Sequence, residues 1–273
     1  MMKIRRTLLA AITATALLGN AWAQEAAVGA FTPEVGQAGK DVVWVPTSQA
    51  LVDAMLDMAG LTAQDYLIDL GSGDGRTVIT AAMRGARAHG IEYNPDMVAL
   101  SKQAAEAAGV SDRATFEEAD IFESDFSKAS VISLFLLPNL NLRLRPTLLD
   151  MAPGTRVVSN SFDMGDWEPD DTVRVDGEGC TGYCNAYKWI IPAKVEGSWK
   201  MEDGGVLALT QAFQMLSGSL RKDGEPQEIS DAKLSGADIT FTVGKDVYTG
   251  RVDGDSMGGR NDSGKDWRAT KQL

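Results

Sequence analysis

The chain reads as an α/β protein: a doubly wound, mostly parallel sheet with a terminal antiparallel hairpin, followed by a small all-β domain. Three features predict this. Short apolar runs alternate with helix-period segments from about residue 42 to residue 193. The first apolar run, Tyr66 to Leu70, empties into a loop with glycine at every second position, Gly71, Gly73 and Gly75. After Pro192 the helical period stops, and short alternating runs separated by glycine and Asp-Gly turns take over. Alternating β and α units imply right-handed crossovers and a parallel sheet, and a train of short alternating runs implies antiparallel strands.

The elements follow in order. Thr47 or Ser48 caps a first helix whose buried stripe is Leu51, Val52, Met55 and Leu56, and Gly60 ends it. The first strand is about 65–70 and its helix about 76–86. A second strand, about 88–92, precedes a helix with Asn94 as cap and Pro95 at the first helical position, running to Gly109. The third strand is about 114–118. The fourth, Ser130 to Leu137, is continuously apolar, as a central strand buried on both faces requires. Its helix is about 139–151, and the fifth strand about 155–161. Runs at 171–176 and 185–192 pair as the closing hairpin. Residues 194–273 form a small antiparallel sheet or up-and-down barrel of about six to eight strands, with Trp199, Phe213, Phe241, Tyr248 and Trp267 as core.

The amino terminus has the pattern of a secretory signal: Lys3, Arg5 and Arg6, an apolar stretch from about Leu8 to Gly19, and Ala21-Trp22-Ala23 as cleavage site. Residues 1–23 are therefore expected to be removed, 24–41 to be a flexible tail, and the protein to be periplasmic or secreted with no membrane span after cleavage. Arg5-Arg6 faintly resembles a twin-arginine signal, but its flanks fit ordinary Sec export better. In an oxidising compartment Cys180 and Cys184 are expected to close a disulfide at a hairpin tip, the alternative being two free thiols.

Composition excludes several chemistries. The net charge is -12, with 38 acids against 26 basic residues, which opposes a phosphate backbone and predicts no nucleic-acid partner. The single histidine, His89, stands at the start of an expected strand, which argues against a Ser-His-Asp triad, and one histidine cannot form a histidine metal cluster. No metal site is expected. The glycine loop is G-x-G-x-G, with Arg76 where the dinucleotide fingerprint has its last glycine, and no P-loop run exists. Glycines fit where a Cβ would collide with a ligand or a sharp turn. An acid, Asp69, stands just before the loop, Glu92 ends the second strand, and Asp120 follows the third. A carboxylate placed like Glu92 accepts ribose hydroxyls in doubly wound folds.

With those residues in place, Asp69-Leu70-Gly71-Ser72-Gly73-Asp74-Gly75-Arg76 resembles motif I of the Rossmann-like class I S-adenosyl-L-methionine (SAM) methyltransferases. Together with Val45-Pro46-Thr47, Leu136-Leu137-Pro138 and Phe162-Asp163-Met164-Gly165-Asp166-Trp167, it resembles a bacterial methyltransferase family of unassigned substrate. It is also similar to the lysine methyltransferases that modify the c-ring protein of ATP synthase, and more distantly to the non-SET histone lysine enzymes. The resemblance covers just over half the chain and does not reach the β domain. It implies SAM as cofactor and a protein lysine, or another small-molecule or protein amine, as acceptor. It implies that the backbone of Gly71, Ser72, Gly73, Asp74 and Gly75 approaches the methionine moiety. Asp69 would fix the loop or the SAM ammonium, Asp120 and Ile121 would hold adenine, and Thr47 and Gln49 would close over SAM. The acceptor is expected at the end of the fourth strand, beside Pro138 and Asn139, where Asn139 can hold an amine or can simply cap the helix. Asp163, Asp166 and Trp167 can line that mouth or form an ordinary acidic loop. A second reading stays open: an exported, non-catalytic binding protein that keeps a repurposed SAM-type fold.

Overall fold

The computed structural model describes residues 31–177, 179–222 and 224–272. The proposed signal segment lies outside them. The first part of the chain carries α1 (Gln49–Met58), β1 (Tyr66–Leu70), α2 (Arg76–Met83), β2 (Arg87–Glu92), α3 (Pro95–Ala107), β3 (Ala114–Glu118), β4 (Val131–Leu134), α4 (Pro138–Leu149), β5 (Arg156–Asn160), β6 (Asp171–Arg174) and β7 (Asn185–Ile190). Their sheet runs β3-β2-β1-β4-β5-β7-β6. It is parallel from β3 to β5, and β7 inserts antiparallel between β5 and β6. This is a Rossmann-like sheet with a terminal antiparallel hairpin, as the sequence predicts.

The helix caps form as the local sequence dictates. The Ser48 side chain accepts from Leu51 N, and Asn94 accepts from Asp96 N and Met97 N with Pro95 behind it. The expected stripe on α1 is buried, and it joins Val78, Ala81 and Ala82 of α2 and Phe116 of β3 in one core. The other face of the sheet packs Ile68, Leu70, Ile132 and Val157 against Leu140, Leu144 and Leu148 of α4. Strand β4 is buried along its whole length, but it ends at Leu134, three residues earlier than the apolar run implies. Residues 135–137 leave the ladder because Pro138 opens α4 and holds Leu137 extended, at φ -63° and ψ 154°.

The second part carries β8 (Gly197–Met201), β9 (Val206–Ala212), β10 (Met215–Arg221), β11 (Gln227–Ser235), β12 (Asp238–Val243), β13 (Asp246–Asp253), β14 (Ser256–Asn261) and β15 (Asp266–Lys271). They close as an up-and-down barrel in which β15 pairs with β8. Closure removes the edge strands that a small open sheet would expose. Trp199, Phe241 and Trp267 fill it, and Tyr248 stacks on Phe241 with centroids 4.8 Å apart.

Phe213 corrects the sequence reading: it is not in the barrel core. It turns the β9–β10 connection with φ 56° and stacks on Trp167 of the first domain, centroids 5.7 Å apart. The next residue completes the joint. Buried Gln214 accepts from Trp167 Nε1 at 2.9 Å and donates to Glu168 O at 2.8 Å, while Trp189 Nε1 donates to Trp167 O at 2.8 Å. Gln214→Ala leaves the buried Trp167 Nε1 donor unpaired and removes the bond to Glu168 O, so it should lower stability by about 2 kcal/mol. Urea unfolding followed by tryptophan fluorescence checks this, and an unmoved midpoint would show that the amide does not tie the domains together.

Candidate functional site

The C-terminal ends of β1, β2, β3 and β4 open onto a cavity of about 520 Å³. Its floor is set by register. Asp69 lies opposite Gly90 on one side and Ser133 on the other. Its carboxylate is nearly buried and accepts from Ser133 Oγ at 2.6 Å. Burial pushes its pKa up to about 7, the Ser133 hydroxyl opposes that, and the negative charges of Glu92 and Asp74 add to it. A buried acid in that condition is poised to accept a cation.

The glycine loop hangs from β2. Gly71 N and Ser72 N both donate to Ile91 O, at 2.9 and 3.0 Å, and Gly73 N donates to Glu92 Oε2 at 2.9 Å. Glu92 Oε1 also accepts from Asn94 N at 2.9 Å. Each carboxylate oxygen therefore holds one backbone donor and keeps a lone pair for a ligand hydroxyl. At Gly73 (φ 54°) a Cβ would sit 2.8 Å from Trp44 Nε1, so the indole and the loop are in close contact across the cavity wall. Gly75 has a different task. At φ 78° its Cβ would lie 2.7 Å from the Phe116 ring and 2.8 Å from Ser101 Cβ. It is not in the cavity lining; it lets α2 start close against β3.

Asp74 is spent on Arg76, which it grips through Nε at 2.9 Å and Nη2 at 2.5 Å. Arg76 Nη1 then donates to Thr47 O at 2.7 Å, and Asn160 Nδ2 donates to Thr47 Oγ1 at 3.1 Å. Thr47 Oγ1 accepts from Asn160, so its own proton is free to point elsewhere. Asp120 is held twice, by Phe122 N at 2.9 Å and by Lys40 Nζ at 2.5 Å, and the Lys40 bond keeps its pKa below the usual carboxylate range.

Of the residues expected from sequence, Thr47, Asp69, Gly71, Ser72, Gly73, Asp74, Glu92, Asp120 and Ile121 line this one cavity. Gln49 does not: it sits at the start of α1 and donates to Thr80 Oγ1 at 3.1 Å, outside the cavity. Pro138 and Asn139 are also absent from the lining, since the first turn of α4 turns them to the surface while Leu137 and Leu140 flank the cavity. Nor does Asn139 cap α4, whose cap position is Leu137 and makes no side-chain hydrogen bond. Trp167 is buried at the barrel joint and Asp166 pairs with Arg145, so neither lines the mouth.

Three contributors were missed by the sequence reading. Residues 37–44, of which 37–41 belong to the expected flexible tail, fold back as a turn in which Gly36 N donates to Trp44 O and Trp44 N to Gln37 O, and they line the cavity. Lys40 also lies over the Tyr93 ring, 4.6 Å from its centroid. Asn160, fully buried at the end of β5, acts through its bond to Thr47 Oγ1; with Ser159 it makes a buried polar pair at that strand end, which is the signal that marks it. The third is an aromatic group, Phe135, Phe162 and Tyr183, at the end of the cavity near α4. Among the described residues, none of 194–272 lines the cavity.

Comparison with known proteins converges on this same region. Residues 69–171 match the profile of the ANTKMT methyltransferase domain. A protein-lysine N-methyltransferase of Saccharolobus islandicus is 39% identical over 138 residues, which is 50% of this chain and 86% of that protein. The mouse adenine nucleotide translocase lysine N-methyltransferase is 38% identical over 115 residues, covering 41% of this chain and 49% of its own length. The match thus spans about half of that mammalian relative. A crystal structure from Salinibacter ruber, described as an RNA methyltransferase with S-adenosyl-L-homocysteine, is 47% identical with a TM-score of 0.52 and covers 55% of this chain and 96% of its own.

The packing at Gly75 sets a stability test. Gly75→Ala combines a left-handed backbone with a contact under 3 Å to two neighbours, and should cost about 2 kcal/mol or more. Thermal unfolding checks it; a Tm within a degree of wild type would show that α2 can shift to make room.

Proposed function

The chain belongs to the SAM-dependent methyltransferases, in the protein-lysine N-methyltransferase family, and on that footing we propose that this cavity transfers a methyl group from SAM to a lysine amine of a protein substrate. The observation that carries the reading is the convergence of acids from three successive strand ends, Asp69, Glu92 and Asp120, with the Gly71–Gly73 backbone on one cavity. The residues fit the cofactor. The Gly71–Gly73 backbone borders the cavity, Glu92 keeps acceptor capacity for ribose hydroxyls, and Asp120 with Ile121 offers the edge and face that an adenine needs.

When bound, SAM supplies a methyl carbon activated by its sulfonium, and transfer to nitrogen leaves S-adenosylhomocysteine and one released proton. The protein's own work is to bind, orient and exclude water. Asp69 would face the positive charge of the methionine end. Thr47, whose oxygen is committed to Asn160, would donate its hydroxyl proton there. An amine must arrive neutral, and a mouth walled by Phe135, Leu137 and Phe162 lowers its pKa by desolvation, so no histidine base is required. An RNA acceptor is the second reading, favoured by the description of the Salinibacter protein; the net charge of -12 opposes it. We place the protein outside the reducing cytoplasm, a reading supported by the Cys180–Cys184 disulfide and the amino-terminal sequence pattern.

Two measurements test the reading. Titration calorimetry should show SAM and S-adenosylhomocysteine binding, with Glu92→Ala weakening both by about tenfold or more. Labelled SAM should then put methyl groups into protein, recovered as methyl-lysine after hydrolysis; label that disappears on nuclease treatment would select the RNA reading instead. The pH dependence has a definite sign. A cationic ligand favours ionised Asp69, so below its pKa of about 7 binding must release a proton. SAM affinity should therefore fall more than about tenfold from pH 7.5 to 5.5, and Asp69→Asn should flatten that slope. A steep slope surviving in Asp69→Asn would assign the proton to another group.

A further inference from the structure

The aromatic group at the mouth is not accounted for by SAM. Phe135 follows β4, Phe162 follows β5, and Tyr183 sits in the β6–β7 connection. Their ring centroids lie 5.3 to 6.1 Å apart, with Phe135 and Phe162 stacked and Tyr183 set edge-on to Phe135. All three line the cavity, yet Tyr183 is 50% exposed and Leu137 beside the cavity is 42% exposed. Burial alone would not hold a half-exposed tyrosine here. Tyr183 also has a left-handed backbone, φ 53°, which a bulky residue adopts only when its surroundings enforce it. The enforcement is on either side: Cys180 and Cys184 are joined by a disulfide that closes a five-residue loop around Tyr183. The same loop rests on α1, where a Cβ on Gly179 would stand 3.2 Å from Ala50 Cβ.

We propose that Tyr183 is a specificity-determining residue, held by the Cys180–Cys184 disulfide so that its ring, with Phe135 and Phe162, receives the alkylammonium side chain of the acceptor. The proposal rests on the lysine reading of this cavity and adds what recognises the acceptor. Ring faces carry negative potential and attract the ammonium as it enters from water, before it gives up its proton to become the nucleophile, and attract the charged methylated product in the same way. The exposed Asp163 carboxylate, one residue from Phe162, adds negative charge to the same neighbourhood, whereas Asp166 is already paired with Arg145. Tyr183 lies beyond residue 171, where the match to the family profile ends, whereas Phe135 and Phe162 lie within it.

The test uses the full chain saturated with S-adenosylhomocysteine. Calorimetry compares Nα-acetyl-Nε-trimethyl-lysine amide with its neutral isostere, in which carbon replaces the quaternary nitrogen. Wild type should bind the cationic probe about tenfold more tightly. Tyr183→Ala should erase that difference, Tyr183→Phe should keep it, and Cys180→Ser with Cys184→Ser should reduce it while leaving S-adenosylhomocysteine affinity unchanged. In turnover, Tyr183→Ala should raise KM for a lysine peptide with little change in kcat. Equal affinity for the two probes, no binding of either, or an unchanged Tyr183→Ala variant would overturn the proposal. A short single-stranded RNA that binds wild type and is lost in Tyr183→Ala would assign the rings to base stacking and overturn it too. Failure of the SAM reading shows separately, as absent binding of S-adenosylhomocysteine by wild type.

Discussion

The whole site depends on one constraint: the backbone between Gly71 and Gly73 is suspended from the end of β2. The Ile91 carbonyl accepts two of its N–H groups and the Glu92 carboxylate a third. Those bonds keep the loop tight against its neighbouring strand while its open side faces the cavity. Because the donors are backbone groups, the loop's shape is fixed by hydrogen bonding rather than by side-chain packing. Asp69, between Gly90 and Ser133 in the sheet, is buried at the foot of that loop. Its unfavourable burial makes chemical sense only if a positive ligand group arrives.

Around that centre the charged groups are arranged to hold one another and leave the cavity mostly apolar. Asp74 and Arg76 close on each other and present Arg76 to the Thr47 carbonyl, so the turn before α1 is fixed to the start of α2. Lys40 closes on Asp120 from the turn at residues 37–44. These pairs are partly exposed, and their individual contribution to stability is small. Their effect is positional: they bring two segments far apart in sequence over the same cavity, and they neutralise carboxylates that would otherwise repel each other there.

The barrel occupies a separate place. It meets the first domain through Trp167, Phe213 and Gln214 and through the backbone bond from Ala193 N to Gly236 O, and it contributes nothing to the cavity wall among the described residues. Its Trp199, Phe241 and Trp267 are core residues, so the module has an interior of its own. A joint built on stacked rings and a satisfied amide fastens it to the first domain.

The order of strands and helices, the three acidic strand ends, the caps of the first and third helices and the hairpin disulfide were legible in the chain, because each is set by a local pattern: alternation, a helical period, a glycine loop or a short cysteine spacing. Glu92 and Asp69 could be read for the same reason, each being the last acid of an apolar run. What the sequence could not show is anything that depends on long-range approach. The end of β4 at Leu134, the outward turn of Pro138 and Asn139 and the surface position of Gln49 follow from where a strand stops pairing and which way a helix begins. Phe213 leaves the barrel because a left-handed turn points it at Trp167. Residues 37–44 come to the cavity from a segment with no chemical signature of its own, Asn160 acts on it through Thr47, and the cysteine spacing around Tyr183 does not say where its ring lies. The sequence by itself determined the fold and the glycine-loop end of the cavity, since local backbone geometry and strand-end acids define both. Only the tertiary structure decided the acceptor end and the closing turn, since those are assembled from contacts between residues dozens of positions apart.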